Sequence, residues 1–118
     1  MVHEAVSRSI FQLGASRPPA GEMPVVLAAG PSAILLHEAI GDGMEADFNR
    51  KKISIFSSRM NQSIANEHVT IVDDGTIAGS RGAINVDDEG NASERTVLVQ
   101  NGVLQSYLHD EMLSLIHI

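Results

Sequence analysis

The sequence contains no cysteine, which excludes a disulfide framework and thiolate ligation of a metal within the chain. Tryptophan is absent and the aromatic fraction is only 3%, so a core has to be assembled from Val, Ile, Leu, Met and Ala. Positive charge is scarce: 8 Lys and Arg stand against 15 Asp and Glu, a net charge of −7. Nucleic-acid affinity rests on clustered Lys and Arg, and the one basic cluster, Arg50-Lys51-Lys52, reads as a solvated loop. A nucleic-acid partner is therefore not expected. No window approaches the ~18 consecutive apolar residues of a membrane span. The opening Met1 to Ala20 lacks the basic stretch and long apolar run of a secretory signal. The expectation is a soluble cytoplasmic protein with no membrane partner. What is present is a 43% apolar chain of 118 residues, enough for one domain that hides roughly two-thirds of its unfolded surface.

Along the chain, Val6, Ile10 and Leu13 fall on one face of a helix predicted over Val2 to Leu13, with Gly14 as its stop. Pro18, Pro19 and Gly21 make the following stretch a loop. Pro24 to Ala28 is a short apolar run that suits a buried strand. Pro31 sits well as the first residue of a second helix, because its missing N–H costs nothing there. That helix carries Ile34, Leu35, His37, Glu38 and Ile40 and loosens at Gly41 to Gly43. Beyond Phe48 the texture becomes strand-like, in Ile53 to Phe56, Val69 to Val72, Ala83 to Val86, Thr96 to Val99 and Val103 to Tyr107. Asn101-Gly102 between the last two runs is a strong hairpin signal, since both turn residues need positive φ. The reading is an α+β chain, two helices followed by a mostly antiparallel β-sheet. Asp110 to Ile118 shows neither a cap nor a closing turn. Residues 113–118 are accordingly expected to be a truncated or non-native tail.

Ile34 to Glu45 is the one dense polar cluster inside an apolar helix. A neutral imidazole such as His37 can bind Zn²⁺, and a neighbouring carboxylate such as Glu38 can take a proton from water that the metal holds. The dipeptide alone serves equally well as a helix-surface pair without a role. In ordinary zincins the second histidine stands at i+4, about 40° round a regular helix. Here the next candidate ligand, Asp42, stands at i+5, about 140° away. The two converge on one metal only if the helix widens by a residue or unwinds, a distortion that Gly41 and Gly43 make cheap. Regular geometry would instead align Glu38, Asp42 and Glu45 in a carboxylate stripe. Other histidines carry less: His3 lies at a frayed terminus, Glu67-His68 precedes a strand, and His109 follows the last strand and could approach the cluster.

The stretch from Leu35 to Lys51, LLHEAIGDGMEADFNRK, resembles the signature of TldD/PmbA-type metallopeptidases, whose pattern runs HEAxGHGxEgDfnRk. IFSSRM (Ile55 to Met60), VTIVDDGTIAGSRGAINVDDEG (Val69 to Gly90) and RTVLVQNGVLQSYLHD (Arg95 to Asp110) are similar to successive blocks of the same family, in order. The resemblance covers Val2 to Met112. It implies a zinc peptidase acting on peptides or unfolded polypeptides, whose active subunit pairs with a related TldE/PmbA-like subunit lacking the metal motif. It places the metal-ligand role on His37 and the general-base role on Glu38. The second ligand position falls on Asp42, where the family pattern has histidine, and the family's third protein ligand is a cysteine. By the same resemblance, residues 1–14 are the last helix of an N-terminal domain and 15–30 a linker and strand. Residues 31–112 are the start of the C-terminal metallopeptidase domain of a larger two-domain protein. Two readings result: a piece of a zinc-dependent peptidase with a degenerate metal site, inactive by itself, or a non-catalytic partner subunit serving assembly. Asp42 favours the second and the intact His37-Glu38 pair the first.

Overall fold

The computed structural model describes residues 1–116. Helix α1 (Val2–Leu13) ends where the Gly14 N–H donates to the Phe11 carbonyl at 3.3 Å. Its apolar stripe forms as its spacing dictates, but none of its residues is buried. The run Pro24 to Ala28, expected as a buried strand, carries none; Val25, Val26 and Leu27 are exposed. A strand needs a partner to take up its N–H and C=O groups, and no sheet among the described residues includes this run. The radius of gyration, 17.9 Å, exceeds the about 13.5 Å of a compact domain of this length, in keeping with these unpacked apolar segments.

Pro31 opens helix α2 (Ser32–Leu36) with φ −57°, as its fixed ring geometry favours. The helix continues into a π turn, His37–Gly41, and then a 3-10 turn, Asp42–Met44. Glu45 is extended, and a short helix α3 (Ala46–Arg50) comes next. Three antiparallel strands, β1 (Ile71–Asp74), β2 (Arg95–Gln100) and β3 (Val103–Leu104), lie in the order β1-β2-β3. Ile71 pairs with Val99 and Val72 with Val97, so the register slips between them. Asn101 (φ 48°) and Gly102 (φ 79°) make the β2–β3 turn, as the sequence pair demands. A Cβ on Gly102 would lie 2.4 Å from the Ala65 carbonyl oxygen. Only glycine fits there.

The other strand-like runs behave differently. Ile53 to Phe56 is turn, tied by Ile53 N–H to Phe48 O (3.1 Å) and Ser57 N–H to Ser54 O (3.2 Å). Ala83 to Val86 contributes a single bridge, Val86 to Ala92. There the Asp87 carboxylate accepts the backbone N–H groups of Glu89 and Asn91, a local arrangement that competes with strand pairing. The C-terminal segment also departs from expectation. It forms helix α4 (Glu111–Ile116), and Asp110 accepts the Leu113 N–H at 2.6 Å as an N-cap. His117 and Ile118 of the expected tail lie outside the described residues. Helices plus a three-stranded antiparallel sheet make the fold α+β.

The core is small: Met44, Phe56, Leu98, Val99 and Leu104, flanked by Ile40, Ile64, Ile71, Tyr107 and Leu108. Met44 enters it from the end of the polar turn. Leu108 pairs in parallel with Glu45, giving and taking hydrogen bonds with Met44 O (2.9 Å) and Ala46 N–H (2.8 Å). Leu104→Ala should cost roughly 2–5 kcal/mol, the range for emptying a core leucine site. Gly102→Ala should also destabilise, through its positive φ and the carbonyl clash. Urea unfolding of both variants checks this; a midpoint equal to that of the parent in either would contradict the packing described.

Candidate metal centre

The polar turn resolves the geometry that the i+5 spacing left open. The Asp42 N–H donates to the His37 carbonyl, the i+5 hydrogen bond of a π turn. In this widened turn His37 Nε2 lies 3.4 Å from Asp42 Oδ1, although a regular helix would hold the two about 140° apart. Gly41 leaves the space for it: a Cβ there would stand 3.2 Å from His37 Nδ1. The two side chains are 61% and 50% exposed, so their attraction contributes little to stability. What matters is their chemistry, one imidazole nitrogen and one carboxylate oxygen facing solvent together. Glu38 is on the same turn and exposed. The regular stripe of Glu38, Asp42 and Glu45 does not form, because Glu45 has left the helix with ψ 135°.

The C-terminal end of this turn leaves carbonyls that need partners, and each finds one. Asp42 O accepts the Glu45 N–H at 3.2 Å, and Met44 O accepts that of Leu108 at 2.9 Å. Gly43 O accepts Asn49 Nδ2 at 2.9 Å and Ser54 Oγ at 2.5 Å. Asn49 Nδ2 also donates to Glu45 O at 2.8 Å. A Cβ at position 43 would stand 3.2 Å from the Phe56 ring, which would have to shift by a few tenths of an ångström. Asn49 is buried, and among the described residues its Oδ1 has no hydrogen-bond partner, an arrangement that costs about 1–3 kcal/mol. On the outer face of α3, Asp47 accepts from Lys51 (2.6 Å) and Arg50 (2.9 Å), in that order the causes that hold its pKa below 3.8. Two members of the basic cluster thus belong to a helix end rather than a loop.

A broad cleft lies elsewhere. It encloses about 880 Å³ between the Asp74–Gly75 turn, the Asp87–Glu89 loop and Tyr107 to Glu111. It is acidic, and Asp74, Asp87, Glu89 and Asp110 accept hydrogen bonds from nearby groups. The Thr76 hydroxyl and N–H, and then Arg95 at 3.7 Å, hold the Asp74 pKa below 3.8. The Asn91 N–H, then that of Glu89, does the same for Asp87. His109 lines this cleft with Nδ1 2.9 Å from the Tyr107 carbonyl oxygen. It does not join His37 and Asp42: among the described residues, no three His, Cys, Asp or Glu side chains gather as a metal-holding group. The pair fits a divalent cation in the kind of donor it offers. In number it falls short of the three protein ligands of a catalytic zinc.

Sequence reasoning singled out His37, Glu38 and Asp42 but not Asn49, Ser54 and Leu108, whose hydrogen bonds hold the turn. The available signal for Asn49 was the n that the family pattern HEAxGHGxEgDfnRk has at its position. Nothing local in the sequence marks the other two.

The site is thus a helix broken by a π turn, carrying His-Glu and a second donor at i+5, and joined through Glu45 to Leu108. The chain belongs to the PmbA/TldA metallopeptidase C-terminal domain family, which matches residues 20–114. It is 49% identical over 109 residues to a metalloprotease TldD homologue of Haemophilus influenzae, covering 92% of this chain and 23% of that protein. It is 35% identical over 108 residues to a zinc metalloprotease TldD homologue of Saccharolobus solfataricus, covering 91% and 24%. Its fold is similar to that of TldE from Thermococcus kodakarensis, with a TM-score of 0.60 at 23% identity, over 66% of this chain and 18% of that one. The chain spans about a quarter of the length of the curated relatives it matches. Among the described residues, no helix is long and apolar enough to cross a membrane.

Two outcomes are expected. Gly41→Ala should push the His37 ring away from Asp42, visible as a shift of the His37 imidazole resonances in ¹H–¹⁵N spectra while those of His3 and His68 stay in place. Asp74 and Asp87 have folded-state pKa values below the unfolded 3.8. Their stabilisation is therefore complete above 3.8 and is lost as the pH falls from 3.8 through the folded values. Asp74→Asn and Asp87→Asn should each flatten the acid limb of urea-midpoint profiles taken between about pH 5 and pH 2. A limb as steep as that of the parent would refute the assignment.

Proposed function

We propose that this chain carries part of the catalytic centre of a zinc-dependent peptidase acting on extended or unfolded polypeptides. His37 and Asp42 are its metal-holding side chains, and Glu38 is its general base. The observation that carries this reading is the π turn bringing His37 Nε2 and Asp42 Oδ1 to 3.4 Å. That turn converts an i+5 spacing into a convergent pair. Bound there, the cation would supply Lewis acidity toward the scissile carbonyl and a lowered pKa for water. Glu38, exposed beside His37, accepts a proton from water at its carboxylate and returns it to the leaving amine. Asp42 adds a negative charge where the family pattern has a neutral imidazole, which reduces the electrophilicity of the site. The remaining ligand comes from outside the described residues.

In this reading residues 1–14 close an N-terminal domain and 31–112 begin the peptidase domain. The protein works in the cytoplasm beside a TldE/PmbA-like subunit. A second reading has its own support: Asp42 in place of histidine favours a non-catalytic PmbA/TldE-like subunit that serves assembly.

Metal analysis of the full-length protein that carries this segment separates the two. The peptidase reading expects stoichiometric zinc, lost on His37→Ala. It expects Glu38→Gln to keep the metal while peptide hydrolysis falls about 10²–10⁴-fold. Zinc absent from the parent and gained on Asp42→His would favour the assembly subunit. Hydrolysis that survives Glu38→Gln would remove the general base from the mechanism.

A further inference from the structure

We infer that Asn49 is the positioning residue of the His37–Asp42 pair, acting through the Gly43 carbonyl with Ser54 as its second donor. The inference rests on the reading of that pair as a functional site.

Gly43 directly follows Asp42, so holding its carbonyl anchors the far side of the 3-10 turn that carries the Asp42 side chain. Among the described residues this carbonyl takes its hydrogen bonds from side chains, Asn49 Nδ2 at 2.9 Å and Ser54 Oγ at 2.5 Å. Its neighbours Asp42 O and Met44 O are held by backbone N–H groups. The Asn49 amide reaches Glu45 O as well, at 2.8 Å. Its NH₂ group therefore spans Met44 and uses both of its hydrogens on carbonyls. This settles the orientation of the amide, because a flipped group would set its oxygen against two carbonyl oxygens.

Ser54 is itself fixed by the Phe56 N–H at 3.1 Å, and Phe56 by Tyr107, whose hydroxyl donates to Phe56 O at 2.7 Å. The clamp is thus anchored in the core rather than in solvent. The Asn49 Oδ1, without a partner among the described residues, points the same way. For stability alone, an apolar side chain would avoid leaving a buried acceptor unsatisfied. The asparagine keeps that defect together with its two donors, and those donors hold the 3-10 turn that presents Asp42.

The test uses the full chain and reads the pair directly. Asp42→Asn first defines how the His37 imidazole ¹H–¹⁵N resonances respond to losing the carboxylate. In Asn49→Ala the His37 resonances should move toward the Asp42→Asn positions while those of His3 and His68 stay. A folded Asn49→Ala with His37 at its parental position overturns the proposal. If Asn49→Ala does not fold, Ser54→Ala, which removes one donor, decides it: a smaller movement in the same direction supports the clamp and no movement overturns it. Co²⁺ titration gives the second readout, with affinity expected to fall about tenfold or more and the visible d–d spectrum to change. If the parent binds no Co²⁺, the metal reading of the pair falls, and the His37 resonances still decide whether Asn49 positions it.

Discussion

Two hydrogen bonds across one residue, Leu108 N–H to Met44 O and Ala46 N–H to Leu108 O, join the polar turn to the strand region, and everything at the candidate site is referred to them. They fasten the chain where it leaves the 3-10 turn. Met44 then points into the core, where it is fully buried with Val99 and Leu104. The turn on the other side of Met44 is left facing solvent. A helix of five residues, α2, is too short to hold its own shape. Its continuation into the π turn depends on this seam and on the side chains packed around it.

The division of labour is sharp within a few residues. Ile40 and Met44 belong to the apolar cluster, whereas His37, Glu38 and Asp42 contribute almost nothing to it. A half-exposed imidazole and carboxylate at 3.4 Å are a poor source of stability, and the Asn49 oxygen, without a partner among the described residues, is a cost. The turn therefore stores more polar geometry than folding requires. That excess of exposed donors is what the proposed metal-holding role of the pair rests on.

Much of this was legible from residues alone, for identifiable reasons. Helix α1 follows from apolar spacing, and the β2–β3 hairpin from Asn101-Gly102, where the turn chemistry leaves little choice. The π turn was legible conditionally: an i+5 pair flanked by glycines either widens the helix or fails to converge, and the structure takes the first course. The short apolar runs were not legible. Pro24 to Ala28 and Ile53 to Phe56 have strand composition, but a strand is made by its neighbour, and local sequence does not name one. Ala83 to Val86 lost its pairing to the Asp87 loop. Asp110 is an ordinary capping residue, obscured in the sequence by the apolar end behind it. The part played by Asn49 depends on where two carbonyls point, which no spacing rule encodes.

The π turn has one more consequence, for insertions and deletions. Each residue added to a regular helix rotates the downstream chain by about 100°, so the wide turn, in taking one up, keeps the phase of Met44 while it brings Asp42 to His37. Removing one residue between positions 37 and 42 would restore the i+4 spacing of an ordinary zincin helix. Met44 and Gly43 would keep nearly their present direction, because a π turn absorbs one extra residue without rotating the chain beyond it. The loss of one residue is therefore tolerated inside the wide turn, whereas the same loss in a regular part of the helix would turn Met44 off the core.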